Sequence, residues 1–192
     1  APAVMFARGS GTELWDTAGK RYLDFLCGLA VTSLGHAHPT VTKALCDQSQ
    51  QLLHVSNFFA NPVAWHAAQD LNALLKDATG CDGQVFFCNS GAEANEAAIK
   101  LARRYAHEKH GAGRFEIITM KNSFHGRTLA TITATGQEKV QKGFDPLVPG
   151  FVYAPFNDFA ALPSCTGFRS QPSAKTAPDR PRSKQVTYRC CS

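Results

Sequence analysis

The 192-residue chain has no apolar run long enough to cross a bilayer. Its longest, LDFLCGLAVTSLG, is interrupted by Asp24 and falls short of the roughly 20 residues a spanning helix needs. The opening, APAVMFARGSGTELWD, shows no basic flank leading into an apolar block and a small-residue cleavage site. No secretion signal is therefore expected, and the expected address is cytoplasmic, away from any membrane. Seven cysteines are present but none in CxxC spacing, so neither a zinc site nor a disulfide framework is legible. Cys88 lies in an apolar run and is expected to be a small buried thiol. His36 and His38 form an HxH without a third ligand nearby, which reads as a turn, and no metal is expected. The nucleotide fingerprints GxGxxG and GxxxxGK[ST] cannot be completed around Gly9, Gly11, Gly111 or Gly113.

The net charge of +5 is a local excess. Residues 163–192 hold six Lys or Arg against Asp179 alone, which leaves 14 basic and 14 acidic residues in 1–162. A balanced body carries no electrostatic footprint for nucleic acid. The same tail contains four prolines, five serines and, of the larger aliphatics, only Val186. Such a segment buries too little apolar surface to offset its ordering entropy and is expected to be disordered.

What remains is patterned. VMFARG, ELWD and KRYLDF read as short strands, the last two joined by the Asp16 and Gly19 turn. Helical periods run through Pro39–Leu53 and Pro62–Lys76, the latter turning Ala64, Ala67, Ala68, Leu71, Leu74 and Leu75 inward. Then come a strand and turn in GQVFFCNSG, a helix over Ala92–His107, and strands in RFEIITM and GFVYAPF. Strands alternating with helices predict an α/β fold with a largely parallel sheet.

The stretch CNSGAEANEAAIKLARR turns from apolar run to helix without a loop. A helix start offers backbone N–H groups that lack intrahelical partners, and the helix dipole adds positive potential there. Phosphate binds well at such a place. Gly91 permits close approach, Ser90 can cap the helix and donate its hydroxyl, and Ala92 leaves the approach open. A well-capped helix with no ligand is the alternative that the junction alone leaves open.

Together with LWDTAGKRYLDF, LGHAHP, HVSNFFANP and NSFHGRTLATITATGQEKVQKGFDPLVPGFVYAPFND, this stretch resembles the acetylornithine aminotransferases of the class III pyridoxal-phosphate aminotransferases. The likeness runs from about Ala3 to Leu162. It implies a fold-type I transferase, present here as an N-terminal segment of the small domain (1–57) and an incomplete large domain (58–162). It also implies pyridoxal 5′-phosphate as cofactor, with Ser90, Gly91 and Ala92 around its phosphate and the Phe124 ring stacked on its pyridine. Without the resemblance, Phe124 reads as an ordinary core aromatic and Arg127 as a surface residue. With it, Arg127 is the clamp for a substrate carboxylate, a task suited to the planar guanidinium, and His125 joins the cofactor-binding residues, either supporting a group that touches the cofactor or orienting the backbone. The implied reaction moves the δ-amino group of N2-acetyl-L-ornithine to 2-oxoglutarate in arginine biosynthesis. The full-length family is expected to be homodimeric, and ornithine and succinylornithine aminotransferases are the neighbouring alternatives.

Transamination also needs a lysine that holds the cofactor aldehyde and moves the proton, and a carboxylate that keeps the pyridine nitrogen protonated. In the family both follow the matching region, and neither motif occurs in these 192 residues. Lys20, Lys100, Lys139, Lys142, Lys175 and Lys184 all lie in turns, on helix surface or in polar stretches. No catalytic residue is therefore assigned. The chain is expected to be a catalytically inactive N-terminal piece, poorly soluble because a truncated sheet leaves edges unpaired. The abrupt change at 163 is what reading a coding sequence out of frame would produce.

Overall fold

The computed structural model describes residues 2–56 and 58–162. The expectation of disorder in 163–192 lies outside the described residues. Backbone contacts divide the chain into two compact units, one ending at Val85 and one beginning at Phe86.

The first unit opens with an antiparallel meander of β1 (Phe6–Ser10), β2 (Glu13–Asp16) and β3 (Arg21–Leu23). Its second turn forms as the sequence predicts, because Asp16 accepts at one carboxylate oxygen from the Ala18 and Lys20 amides, both at 2.9 Å. Gly11 and His36 exchange backbone hydrogen bonds of 2.9 and 2.8 Å, tying the loop after the meander to its first turn. The turn expected at His36 and His38 thus has a specific anchor. The His36 imidazole also meets the Asp24 carboxylate at 2.7 Å. The Cys27 amide, then His36 and the Leu26 amide, hold that carboxyl below the usual range.

Between Asp24 and His36 the backbone makes an unforeseen single left-handed turn, α1 (Cys27–Ala30), with φ of 50°, 63°, 68° and 63°. Only Gly28 adopts that conformation without steric cost. Two helices complete the unit. Helix α2 (Pro39–Ser49) begins on Pro39, and α3 (Pro62–Thr79) is capped by Asn61, whose side chain accepts from the Val63 and Ala64 amides. The apolar stripe of α3 departs from expectation: Leu71, Leu74 and Leu75 are exposed. The 3.6-residue period is there, but no surface among the described residues covers it.

The second unit contains α4 (Gly91–His110), β4 (Ile117–Met120), α5 (Leu129–Ala134), α6 (Glu138–Gln141) and β5 (Phe151–Ala154). Strands β4 and β5 pair in parallel, Ile117 opposite Phe151 through Met120 opposite Ala154. The core of the described residues sits where α5 meets this pair: Ile132, Ala134, Ala154 and the threonines 119, 131, 133 and 135 are buried. Gln141 organises it, its amide donating to the Thr133 and Thr135 carbonyls at 3.1 and 2.8 Å and to the Tyr153 hydroxyl at 3.0 Å.

Two expectations fail just before α4. GQVFFCNSG is no strand: 81–88 has no ladder partner among the described residues, and Phe86 and Phe87 are 69% and 51% exposed. A strand exists only through its neighbours, and the apolar sequence records a pairing that these residues do not complete. For the same reason Cys88 is exposed rather than core.

Candidate functional site

The site is built on two segments of the second unit, the start of α4 and the loop 122–128 that leaves β4. At the helix start, Ser90 is extended (φ −157°, ψ 159°) and its Oγ accepts from the Glu93 amide at 3.2 Å. Glu93 reaches back past the cap to accept from the Asn89 amide at 2.6 Å, so its carboxylate ties down the residue that precedes Ser90. The Ala94 amide donates to the Ser90 carbonyl. That leaves the Gly91 and Ala92 amides without an intrahelical acceptor at the positive end of a 20-residue helix. A Cβ added at Gly91 would meet nothing within 4 Å. The fold therefore gives no packing reason for glycine there, and the side-chain position of Gly91 is open space.

The loop carries the other three expected residues. Phe124 is 59% exposed, and the Arg127 guanidinium carbon stands 5.3 Å from the centre of its ring. Ring and cation thus share one face of the loop. The His125 side chain faces Ser123, Nδ1 to Oγ at 3.3 Å, and its backbone is held on both sides: the amide donates to Thr135 Oγ1 at 3.0 Å and the carbonyl accepts from Asn95 Nδ2 at 2.8 Å.

Gly126 brings the two segments together. It is buried at φ +129°, and a Cβ there would lie 2.8 Å from the Ala92 Cβ and 2.7 Å from Thr131 Oγ1. Only glycine lets the loop rest on the first turn of α4 at this distance. Thr128 adds a hydrogen bond from its hydroxyl to Glu96. The fastening residues Asn95, Glu96, Thr128, Thr135 and Gln137 escape a sequence reading, because their partners are mostly backbone atoms far along the chain. Gly126 alone carried a signal, as a glycine between two polar residues after a strand.

Beside the loop, an apolar cleft of about 450 Å³ is lined by residues of α4 and the strands, including Ile99, Ala102, Ile117 and Phe151, and by Asn95 and His125. No cluster of His, Cys, Asp or Glu suited to a metal occurs among the described residues.

Comparison with known proteins follows the same lines. The sequence profile of the family described as Aminotransferase class-III matches residues 1–174, twelve residues beyond Leu162. The acetylornithine aminotransferase of Caldanaerobacter subterraneus subsp. tengcongensis is 52% identical over 159 residues, covering 83% of this chain and 39% of the relative. A succinylornithine transaminase/acetylornithine aminotransferase of Pseudomonas aeruginosa is 51% identical over 163 residues, covering 84% of this chain and 39% of that protein. Among solved structures, the ornithine aminotransferase of Toxoplasma gondii superimposes with a TM-score of 0.76 at 33% identity, over 85% of this chain and 38% of that one. The chain thus spans about two fifths of the length of the curated relatives it matches.

Proposed function

The chain belongs to the class III aminotransferases, and from that premise we propose that it supplies the cofactor-phosphate cup, the ring platform and the carboxylate clamp of an acetylornithine aminotransferase. The observation that carries the reading is the start of α4. Two unpaired amides and a capping serine face open space at Gly91, and the loop of Phe124 and Arg127 is seated on the next residue, Ala92.

Each residue has a definable task. The Gly91 and Ala92 amides and the Ser90 hydroxyl donate to phosphate oxygens at the positive end of the helix. Phe124 offers an apolar face to a flat conjugated ring, and Arg127 offers a planar pair of donors to a carboxylate. His125 places these two through its backbone and moves no proton in this account. Pyridoxal 5′-phosphate, when bound, supplies the aldehyde that takes up the amino group and the ring that holds electrons while the proton moves. The amino donor is N2-acetyl-L-ornithine and the acceptor 2-oxoglutarate, in arginine biosynthesis, within a cytoplasmic homodimer of the full-length family. No described helix is long and apolar enough to cross a membrane.

A second reading concerns these 192 residues by themselves. They cover two fifths of their relatives, and their sequence carries neither the lysine motif nor the carboxylate motif that transamination needs. The chain on its own binds the phosphate end of the cofactor without turning over substrate.

Titrating the purified chain with pyridoxal 5′-phosphate and with pyridoxal, and competing with inorganic phosphate, tests the cup. The phosphorylated form is expected to bind more tightly and to be displaced by phosphate. Gly91→Val should abolish that preference without lowering the melting temperature, since its Cβ meets no protein atom. Equal binding of the two forms by the unsubstituted chain, or an unaffected Gly91→Val, would overturn the reading.

A further inference from the structure

The loop 122–128 is fastened in two directions. Toward its own continuation it is held by Thr135 Oγ1, which accepts from the His125 amide, by Thr131 Oγ1, which accepts from the Thr128 amide at 3.0 Å, and by Gln137, whose amide donates to the Ser123 carbonyl at 3.0 Å. These bonds shape the loop, and they open more readily when it is released from α4. Toward α4 it is tied by side-chain hydrogen bonds from Asn95 to the His125 carbonyl and from Thr128 to Glu96. Thr128 and Glu96 meet at an exposed contact, where water competes for both partners. Asn95 is half-buried, lines the apolar cleft, and its bond is 2.8 Å long.

We propose that Asn95 is a positioning residue. One turn into the helix that starts at the phosphate cup, it grips the peptide between Phe124 and Arg127 and so fixes ring and clamp relative to Gly91 and Ala92. The geometry is specific to a donor: the acceptor is a backbone carbonyl, so an aspartate of the same shape repels where asparagine attracts. Gly126, against Ala92, supplies the close approach, and Asn95 supplies the register. Its effect on the cofactor rests on the cup reading above, whereas its effect on the loop does not.

The test compares the unsubstituted chain with Asn95→Asp, Asn95→Ala and, as a control, Thr133→Val. The control removes core hydrogen bonds to Leu129 and Val148 without touching the loop. Two readouts are taken at neutral pH. Hydrogen exchange of the His125 and Thr128 amides should quicken roughly tenfold in both Asn95 variants, the loss of one partly buried hydrogen bond. The Ile117 and Lys121 amides, bonded to the Gly150 and Ala154 carbonyls, should keep their rates. Thr133→Val should quicken all four together. In binding, the Asn95 variants should lose roughly tenfold in affinity for pyridoxal 5′-phosphate, which needs cup and ring in register, while inorganic phosphate, which needs only the cup, binds unchanged.

Unaltered exchange at His125 and Thr128 in both variants would overturn the proposal. A parallel loss of phosphate and pyridoxal phosphate binding would do the same, since it would make Asn95 merely structural. An unsubstituted chain that binds neither ligand would overturn the cup reading and the cofactor half of this one, and the exchange readout would still decide whether Asn95 holds the loop.

Discussion

Replacing Gly126 by alanine adds one methyl group at the point where loop and helix touch. Two costs follow. At φ +129° an L-residue is strained, by about 1–3 kcal/mol. The new Cβ would also stand 2.7 Å from Thr131 Oγ1, 2.8 Å from the Ala92 Cβ and 3.0 Å from the Thr131 Cβ. Neither neighbour yields easily. Thr131 is fully buried and bonded to Thr128, and Ala92 has no rotamer to change, so the loop must lift off α4 at an overpacking cost of about 1–3 kcal/mol. The combined loss of about 2–6 kcal/mol is large beside the ~5–15 kcal/mol that hold a typical domain. Pulse proteolysis across a urea series at low protein concentration reads it as a lower midpoint, and pyridoxal phosphate affinity should fall with it. Gly113→Ala is the control: its Cβ meets nothing within 4 Å and its φ is not positive, so its midpoint should hold or rise slightly. A Gly126→Ala chain with the midpoint and affinity of the unsubstituted chain would refute the seating of the loop on the helix.

Three further outcomes are expected. Leu29, exposed at φ 68° in the left-handed turn, should tolerate Leu29→Gly with a gain of about 1 kcal/mol in a urea series; a loss of stability would show that the leucine side chain is packed. Asp24 titrates below its ordinary value of 3.8, so its stabilising effect is complete above that value and disappears as pH falls through the lower folded value. Exchange of the Gly11 and His36 amides should therefore stay slow to about pH 4 and quicken below it, whereas Asp24→Asn should flatten that dependence. Phe86 and Phe87, exposed beside an unpaired segment, should drive self-association of the chain. Sedimentation velocity is expected to show aggregates that Phe87→Lys reduces, and a monomeric unsubstituted chain would contradict this.

Local chemistry was legible in the sequence wherever its partner lies close by. The Asp16 turn, the Asn61 and Ser90 caps and the helices they open follow from residues within a few positions of one another. The alternation of α4, β4 and β5 follows from hydrophobic period. What failed depends on distant partners. The run QVFFC has the composition of a buried strand, yet a strand needs a ladder, and the residues that would complete it are not among those described. The stripe of Leu71, Leu74 and Leu75 is a correct period with no covering surface, and Cys88 is exposed for the same reason. At the candidate site, Ser90 and Gly91 stood out as a helix start that could hold an anion, whereas Phe124 and Arg127 were picked out only by the family resemblance. Asn95 did not stand out, since its function is a bond to a carbonyl 30 residues later, and nothing in a polar helical residue announces such a partner.

The proposed function gives the described residues a phosphate cup, a ring platform and a carboxylate clamp, and gives none of their lysines a covalent bond to the cofactor. Incubating the chain with pyridoxal 5′-phosphate, reducing with borohydride and mapping the modified lysines by mass spectrometry addresses it most directly. Scattered, substoichiometric labelling that inorganic phosphate does not change is expected. One lysine labelled stoichiometrically, and protected by phosphate, would contradict it.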